Sequence, residues 1–133
     1  MLFRSVVING IFVNIPVRDI QKSRNFFESI GFSIFEKYTG PSSVCLILQE
    51  NIKIMLTEKS QFELMLGKPA ADTKTSEALI SLTCDSAEIV KSISEKAFEL
   101  GARKVNDFEE NEYMFSWAFE DLDGHLWDLH CFK

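Results

Sequence analysis

The feature that most constrains the fold is a series of local signals that occurs twice along the chain. An apolar stretch at about residues 10–18 leads into Asp19, a good helix N-cap, and the helical pattern that follows ends at Gly31. A second apolar stretch at 78–84 leads into Asp85, and its helical pattern also ends at a glycine. In each case a strand-like segment follows the glycine. The sequence therefore predicts a duplicated unit that begins with a strand and a helix.

The apolar residues of the two helical patterns indicate which side of each helix is buried. In the first helix, Ile20, Phe27 and Ile30 are expected to point inward. In the second, Asp85 and Glu88 fit a capping box. The inward residues expected there are Ile89, Ile93, Ala97 and Leu100. Each helix would thus cover one face of a sheet.

Two pairs of short strands complete the duplicated unit. The predicted pairs are 43–49 with 52–57, and 113–120 with 126–132. The second pair is connected around Asp123-Gly124, a dipeptide that suits a type I′ turn. Each half of the chain therefore predicts the order βαβββ, and the whole is expected to be an α+β protein.

The segment between the halves has a different character. We expect one domain, residues 1–133, made of two βαβββ modules at about 8–58 and 77–133, with a linker at about 59–76. Ser60 and Glu63 fit a capping box for a short helix that ends at Gly67 in this linker, and a polar stretch with a proline follows. Such a segment can form a lid over a site or simply connect the halves, and the sequence leaves both interpretations open.

Composition and charge narrow the function classes. The chain has 133 residues, 46% of them hydrophobic, and a formal net charge of −6. An acidic surface repels nucleic acids and anionic membranes, so neither is an expected partner, whereas a cationic small molecule would be tolerated. Cys45, Cys84 and Cys131 form no CxxC pair and are expected to be reduced thiols. No signal peptide or membrane span is recognised, so we expect a cytoplasmic protein.

The stretch DLDGHLWDLHCF, residues 121–132, raises the question of a metal site. Side chains alternate along a strand, so its potential ligands divide between the two faces of a sheet. Leu126, Asp128 and His130 share one face, whereas the other face carries His125, Trp127, Leu129 and Cys131. A calcium loop also fails, because Phe119 would occupy its first ligand position. The stretch therefore predicts the end of a β-hairpin.

A family resemblance rests on three motifs, NIPVRDIQKSRNFFESIGF (residues 14–32), IKIMLTEKSQF (52–62) and FEDLDGHLWDL (119–129). Together they resemble the glyoxalase / bleomycin-resistance / extradiol-dioxygenase group, the vicinal oxygen chelate superfamily. Within it, the chain is similar to small bacterial proteins described as lactoylglutathione-lyase-related. The resemblance implies two βαβββ modules that form a cup-shaped, half-barrel mixed sheet with helices on the outside. It also implies a homodimer, and a pocket for a small molecule enclosed by two modules.

The resemblance further implies four metal-ligand positions, one on each of four strands that face into the cup. In this chain these positions fall on Phe12, Met55, Leu79 and Asp128. A catalytic divalent metal needs about three protein ligands, and only Asp128 offers an oxygen. The expected site therefore contains no metal and no other cofactor.

Without a metal, the cup would be largely apolar with a few polar groups. The predicted ligand-binding residues are Phe12, Asn14, Met55, Thr57, Leu79, Ser81 and Trp117. Asn14 could orient a carbonyl or cap a neighbouring strand. Trp117 could stack on a flat ligand or belong to the core. Proteins that the chain resembles tend to have an arginine in place of Trp117, so the resemblance makes a carboxylated or phosphorylated substrate less expected.

Asp128 and His130 are the candidate catalytic residues. Asp128 could act as a general base beside a carbonyl, with His130 as its partner, could anchor a cation, or could simply pair with Arg18. Three hypotheses follow. The chain could bind a small apolar, aromatic or cationic molecule without chemistry, could be a lyase-, isomerase- or dioxygenase-type enzyme, or could be an interaction module. The first hypothesis accounts best for the missing ligands and the acidic surface.

Overall fold

The computed structural model describes residues 8–133 and contains two open mixed β-sheets with α-helices packed on them. The first half consists of β1 (Ile11–Val17), α1 (Ile20–Ser29), β2 (Ser33–Ile34), a 3₁₀ turn (Glu36–Tyr38), β3 (Ser43–Gln49) and β4 (Ile52–Glu58). After α2 (Lys59–Leu66), the second half consists of β5 (Leu79–Thr83), α3 (Ala87–Glu99), β6 (Arg103–Lys104), β7 (Glu109–Glu110), β8 (Met114–Glu120) and β9 (Leu126–Phe132). The predicted α+β class is confirmed.

The two sheets repeat one topology. The strand order is β1-β4-β3-β2 in the first sheet and β5-β9-β8-β6 in the second, where β7 also pairs with β8. In the first sheet β1 runs parallel to its neighbour β4, and in the second β5 runs parallel to its neighbour β9. The remaining pairs are antiparallel. None of the helices between residues 8 and 133 is long and apolar enough to cross a membrane.

The start of α1 follows the sequence prediction. Asp19 has an extended backbone, and its carboxylate accepts the N–H of Lys22 at 3.0 Å, which satisfies one donor of the first helical turn. Phe27 and Ile30 are buried as predicted, together with Phe26. The helix therefore places two adjacent phenylalanines against the core.

The start of α3 differs from the prediction by one residue. Its N-cap is Ser86, whose hydroxyl accepts the N–H of Ile89 at 3.2 Å, so the predicted capping box of Asp85 with Glu88 is wrong. The reason is that Cys84 still donates its N–H to β9, which keeps the chain extended at that point. The buried face of α3 is consequently formed by Val90, Ser94 and Ala97.

The linker helix α2 also lacks the predicted capping box. No side chain caps its start, and the carboxylate of Glu63 instead accepts the N–H of Ala70 at 2.7 Å. The helix ends at Gly67, which adopts the left-handed conformation with a φ of 70°. Glu63 thus fixes the path of the linker beyond the helix.

A loop connects β8 to β9 where the sequence predicted a two-residue type I′ turn. A type I′ turn requires positive φ at both central residues, but only Gly124 has it, at 87°, and Asp123 does not. The connection spans residues 121–125 and closes with a hydrogen bond from the N–H of Asp121 to the carbonyl of His125. The prediction of a tight turn is therefore wrong, although the hairpin itself is present.

Asp121 organises this loop from inside. Its carboxylate accepts the backbone N–H groups of Asp123 at 2.9 Å and His125 at 3.0 Å, and the indole N–H of Trp127 at 2.9 Å. Burial raises the pKa of the Asp121 carboxyl, while His125 and these donors oppose the shift. Three donors on one buried carboxylate fix the conformation of the loop.

The same loop connects the second half of the chain to the first. Asp123 accepts hydrogen bonds from the backbone N–H of Arg18 at 2.9 Å, from its Nε at 3.1 Å and from the hydroxyl of Ser23 at 3.2 Å. His125 Nε2 lies 2.6 Å from the carbonyl oxygen of Pro16. Beneath these bonds lies one apolar core, in which the ring of Phe27 packs on Trp127 at 5.2 Å between centroids.

We expect Gly124→Ala to lower the free energy of unfolding by about 1–3 kcal/mol, because Gly124 has a positive φ and no room for a side chain. An added Cβ would lie 2.4 Å from the carbonyl oxygen of Thr73 in the linker. Urea unfolding followed by circular dichroism measures the loss. Gly40→Ala is the matched control, since its φ is not positive and no described atom lies within 4 Å of the added Cβ. Equal losses in both variants would contradict this explanation.

Candidate functional site

Each sheet has a core face and an opposite face, which we term the distal face. The core faces carry the buried apolar side chains that pack with the helices, such as Leu56 in the first sheet and Leu129 in the second. Residues paired across neighbouring strands share a face. The first distal face is defined by Phe12, Asn14, Cys45, Lys53, Met55 and Thr57. The second distal face is defined by Leu79, Ser81, Thr83, Ser116, Ala118, Leu126, Asp128 and His130.

The two candidate catalytic residues meet on the second distal face. Oδ2 of Asp128 lies 3.3 Å from Nδ1 of His130. The other ring nitrogen of His130, Nε2, lies 2.7 Å from the hydroxyl oxygen of Thr83. The side chains of Asp128 and His130 are 25% and 12% exposed, so they are screened from solvent but not enclosed. Hydroxyl, imidazole and carboxylate thus form a continuous hydrogen-bonded chain.

This chain of hydrogen bonds suits one protonation pattern of a neutral imidazole. If Nδ1–H donates to Asp128, then Nε2 is free to accept the hydroxyl proton of Thr83. The Asp128 carboxylate thus favours the tautomer protonated at Nδ1, and the Thr83 hydroxyl lies at Nε2, the basic nitrogen of that tautomer. Arg18 does not compete for this carboxylate, because it pairs with Asp123 at 3.1 Å. The alternative in which Asp128 forms a salt bridge with Arg18 is therefore wrong.

Thr83 is the site residue that the sequence prediction missed. The signal was present, because Thr83 continues the alternation of Leu79 and Ser81 along β5. Only the parallel register with β9 shows that Thr83 lies opposite His130, while Ser81 lies opposite Asp128. Leu79 and Ser81 both lie on the second distal face as predicted, and both are exposed.

The first distal face brings together three of the predicted ligand-binding residues. Asn14 is paired with Met55 across the parallel strands, and the ring of Phe12 lies two residues from Asn14 on the same face. Phe12 is 49% exposed and packs against Tyr38, with ring centroids 5.9 Å apart. Thr57 shares this face but is only 3% exposed, so in a single chain its hydroxyl is not accessible to a ligand.

Trp117 does not belong to the predicted site. It is paired with Leu129 across β8 and β9, so it lies on the core face, away from Asp128. Its ring is buried against Phe98, and its indole N–H donates to the carbonyl of Asn106 at 2.9 Å. The prediction that Trp117 binds a ligand is therefore wrong, since both its ring and its polar atom are engaged in the core.

Two cavities of the described chain lie apart from these residues. The smaller, of about 440 Å³, is bounded by the loop at 121–124 and by polar side chains that include Arg18 and Arg103. The larger, of about 820 Å³, lies between β1 and the linker and includes Phe62 and Leu66 of α2. None of the predicted site residues lines either cavity. The linker therefore borders a different cavity from the one expected. Phe12 and Asn14 on the first distal face, and Leu79 and Ser81 on the second, stay exposed in one chain.

Comparisons with known proteins give the context of this arrangement. The sequence model of the Glyoxalase/Bleomycin resistance protein/Dioxygenase superfamily matches residues 10–129. No curated protein matches the chain. The solved structure of hypothetical protein SA1046 from S. aureus is 25% identical, covers 94% of each chain and has a TM-score of 0.81.

Two further solved structures show the same fold at lower identity. A glyoxalase/bleomycin resistance protein/dioxygenase family enzyme from Burkholderia phytofirmans PsJN is 21% identical, with 90% of this chain and 95% of that chain covered and a TM-score of 0.75. The fosfomycin resistance protein FosX from Mesorhizobium loti is 19% identical, with 94% and 93% covered and a TM-score of 0.67. The likeness extends over both halves of the chain.

The residues at the four expected ligand positions do not fit a metal. Phe12, Met55 and Leu79 offer no oxygen, nitrogen or thiolate, and Asp128 is already bonded to His130. Within residues 8–133, no three His, Cys, Asp or Glu side chains lie close enough together to hold a metal ion.

We expect calorimetric titration with Ni²⁺, Zn²⁺, Mn²⁺ and anaerobic Fe²⁺ to detect no stoichiometric binding, because a single carboxylate is too few ligands. The protein should carry no His-tag. Asp128→Ala is the control, and it should give the same flat titration. Tight binding that this substitution abolishes would show that the ligand positions have been assigned wrongly.

Proposed function

Since this chain belongs to the Glyoxalase/Bleomycin resistance protein/Dioxygenase superfamily, we propose that it binds a small organic molecule at the distal faces and transfers a proton on it without a metal. The observation that carries this proposal is the chain of hydrogen bonds from Thr83 through His130 to Asp128. An isomerisation by proton transfer needs little more than a base that removes a proton and returns it elsewhere.

Each of the three residues has a distinct role in the proposed reaction. Asp128 orients the ring of His130 and stabilises the imidazolium that forms when Nε2 takes up a proton. Thr83 holds Nε2 in the absence of a ligand and can pass the proton between the ring and the ligand. The proton would come from a carbon next to a carbonyl group, where loss of a proton leaves an enolate. The same nitrogen then returns it to a neighbouring atom, so no net proton is consumed.

A second candidate, binding without turnover, is supported by the apolar side chains that surround the polar groups. Phe12 is 49% exposed on the first distal face, and Leu79 is 54% exposed on the second. Exposed apolar groups of this size favour an apolar or aromatic ligand. A protein that only sequesters such a molecule would need these contacts but would not need the basic nitrogen of His130.

We further propose that the protein is a homodimer, because both distal faces expose large apolar side chains in one chain, Phe12 on the first and Leu79 on the second. Phe132 at the end of β9 is 61% exposed, close to His130, with ring centroids 4.9 Å apart. A second copy that covered these faces would bury the exposed apolar groups and enclose a pocket.

We place the protein in the cytoplasm, since its three cysteines are free thiols and burial raises the pKa of Cys45 and Cys84.

The proton-transfer proposal is tested by deuterium exchange at carbon. In D₂O, incorporation of deuterium next to the carbonyl of dihydroxyacetone, pyruvate and phenylacetaldehyde is followed by NMR. We expect Asp128→Asn to slow protein-dependent exchange by about 10²–10⁴-fold, and Thr83→Val to slow it less. Ser116→Ala is the matched control, because Ser116 flanks His130 from the other neighbouring strand. Ligand-induced NMR shifts without exchange would instead support sequestration, and equal exchange in Asp128→Asn would show that Asp128 does not assist His130 as the base.

The dimer proposal is tested by sedimentation equilibrium. We expect the wild-type protein to sediment as a dimer and Leu79→Glu to sediment as a monomer, because a carboxylate would be buried at the interface. Leu64→Glu is the control, since Leu64 is 78% exposed on α2 and outside both distal faces. A monomeric wild-type protein, or a dimeric Leu79→Glu variant, would contradict the proposed interface.

A further inference from the structure

Lys53 on the first distal face is an unusually buried cation. It is only 9% exposed, although it lies on the face of the sheet opposite the shared core. Its ammonium group lies 5.5 Å from the ring centroid of Phe12 and 5.5 Å from that of Phe35. The two rings thus hold the cation through their negative faces.

The ammonium group of Lys53 is poorly neutralised. The acceptor described for it is the backbone carbonyl of Glu50. Among residues 8–133, no carboxylate forms an ion pair with Lys53, whereas Lys96, Lys104 and Lys133 each have one. A lysine has three N–H donors, so the single carbonyl leaves donor capacity unused.

Burial of a cation is unfavourable unless an opposite charge or several acceptors compensate for the lost hydration. Two aromatic rings and one carbonyl compensate only in part, because none of them carries a net negative charge. A negatively charged group that reached this ammonium would therefore be bound more strongly than at an exposed lysine, where water screens the interaction.

The surroundings indicate the remaining chemistry of such a ligand. Phe12 and Tyr38 are 49% and 45% exposed beside Lys53, so they offer aromatic surface next to the charge. Asn14, two residues along β1, adds an exposed amide on the same face. Since Lys53 already occupies the space between Phe12 and Phe35, a cationic ligand would be repelled there.

We propose that the first distal face binds an organic carboxylate with an aromatic group, and that Lys53 is the residue that binds the carboxylate. The carboxylate contacts the ammonium group, and the aromatic part of the ligand packs on Phe12 and Tyr38. This site goes beyond the proton-transfer function, since it does not involve Asp128 or His130. It also reverses the expectation, drawn from Trp117, that a carboxylated ligand is disfavoured.

The test compares three probes that share one ring and differ in charge. Benzoate is an anion, benzamide is neutral and benzamidine is a cation. Each is titrated into the full-length protein and followed by calorimetry and by the NMR signal of the Met55 methyl group, which reports on the first distal face. We expect binding in the order benzoate, benzamide, benzamidine, with benzoate at least about tenfold tighter than benzamide, as for a charge-assisted hydrogen bond.

The variants assign this selectivity to one residue. Lys53→Met keeps a long apolar side chain and should weaken benzoate binding by at least about tenfold while leaving benzamide unchanged. Lys53→Arg keeps the charge and should retain the preference for benzoate, which guards against a folding defect in the first variant. Lys37→Met is the matched control, because Lys37 also lies over an aromatic ring, 5.8 Å from the centroid of Tyr38, but is exposed.

Three outcomes would overturn the proposal. The first is equal affinity for benzoate and benzamide, and the second is benzoate binding that Lys53→Met leaves unchanged. The third is no benzoate binding by the wild-type protein, and a changed dimerisation constant of Lys53→Met would then favour a contact of Lys53 with a second chain instead. Deuterium exchange is measured in Lys53→Met as well. If benzoate binding fails but exchange stays intact, only this site is disproved and the proton-transfer function stands.

Discussion

The structure depends most on the burial of Trp127 where the two halves of the chain meet. Its ring is fully buried and packs on Phe27 of α1, so the last strand of the second sheet is held by the first helix. Its indole N–H donates to Asp121, the carboxylate that shapes the loop before β9. That loop then places Asp123 on Arg18. Apolar burial and hydrogen bonding therefore join the halves at the same place.

The position of Trp127 also determines where the proposed site lies. Side chains alternate along β9, so a tryptophan that points into the core forces Asp128 and His130 onto the distal face. A shift of the strand by one residue would bury the carboxylate and expose the tryptophan, at a high cost in free energy. Asp128 and His130 are thus held opposite Thr83 by core packing rather than by the two hydrogen bonds that join the three residues.

Periodicity predicted most of the fold, because it reports which side of an element is buried. The face on which Asp128 lies follows directly from alternation along β9, and the apolar run at 43–49 predicts a strand by its length and composition. What alternation cannot give is the register between strands. The side of Trp117 depends on the register of β8 with β9, which a five-residue loop held by a buried carboxylate connects. The partner of Thr83 depends on the parallel register of β5 with β9. Lys53 was missed for a similar reason, since its burial arises from rings that are distant in sequence.

The duplicated topology separates two kinds of chemistry. The first distal face carries a cation among aromatic rings, and the second carries a carboxylate, an imidazole and a hydroxyl, although both sheets have the same strand order. Descent from one repeated unit would explain how this arose, because each copy could change its exposed face while the shared core kept both in place. A substitution on one face needs no compensating change on the other. The two halves are therefore free to evolve, or to be engineered, as independent recognition surfaces on one scaffold.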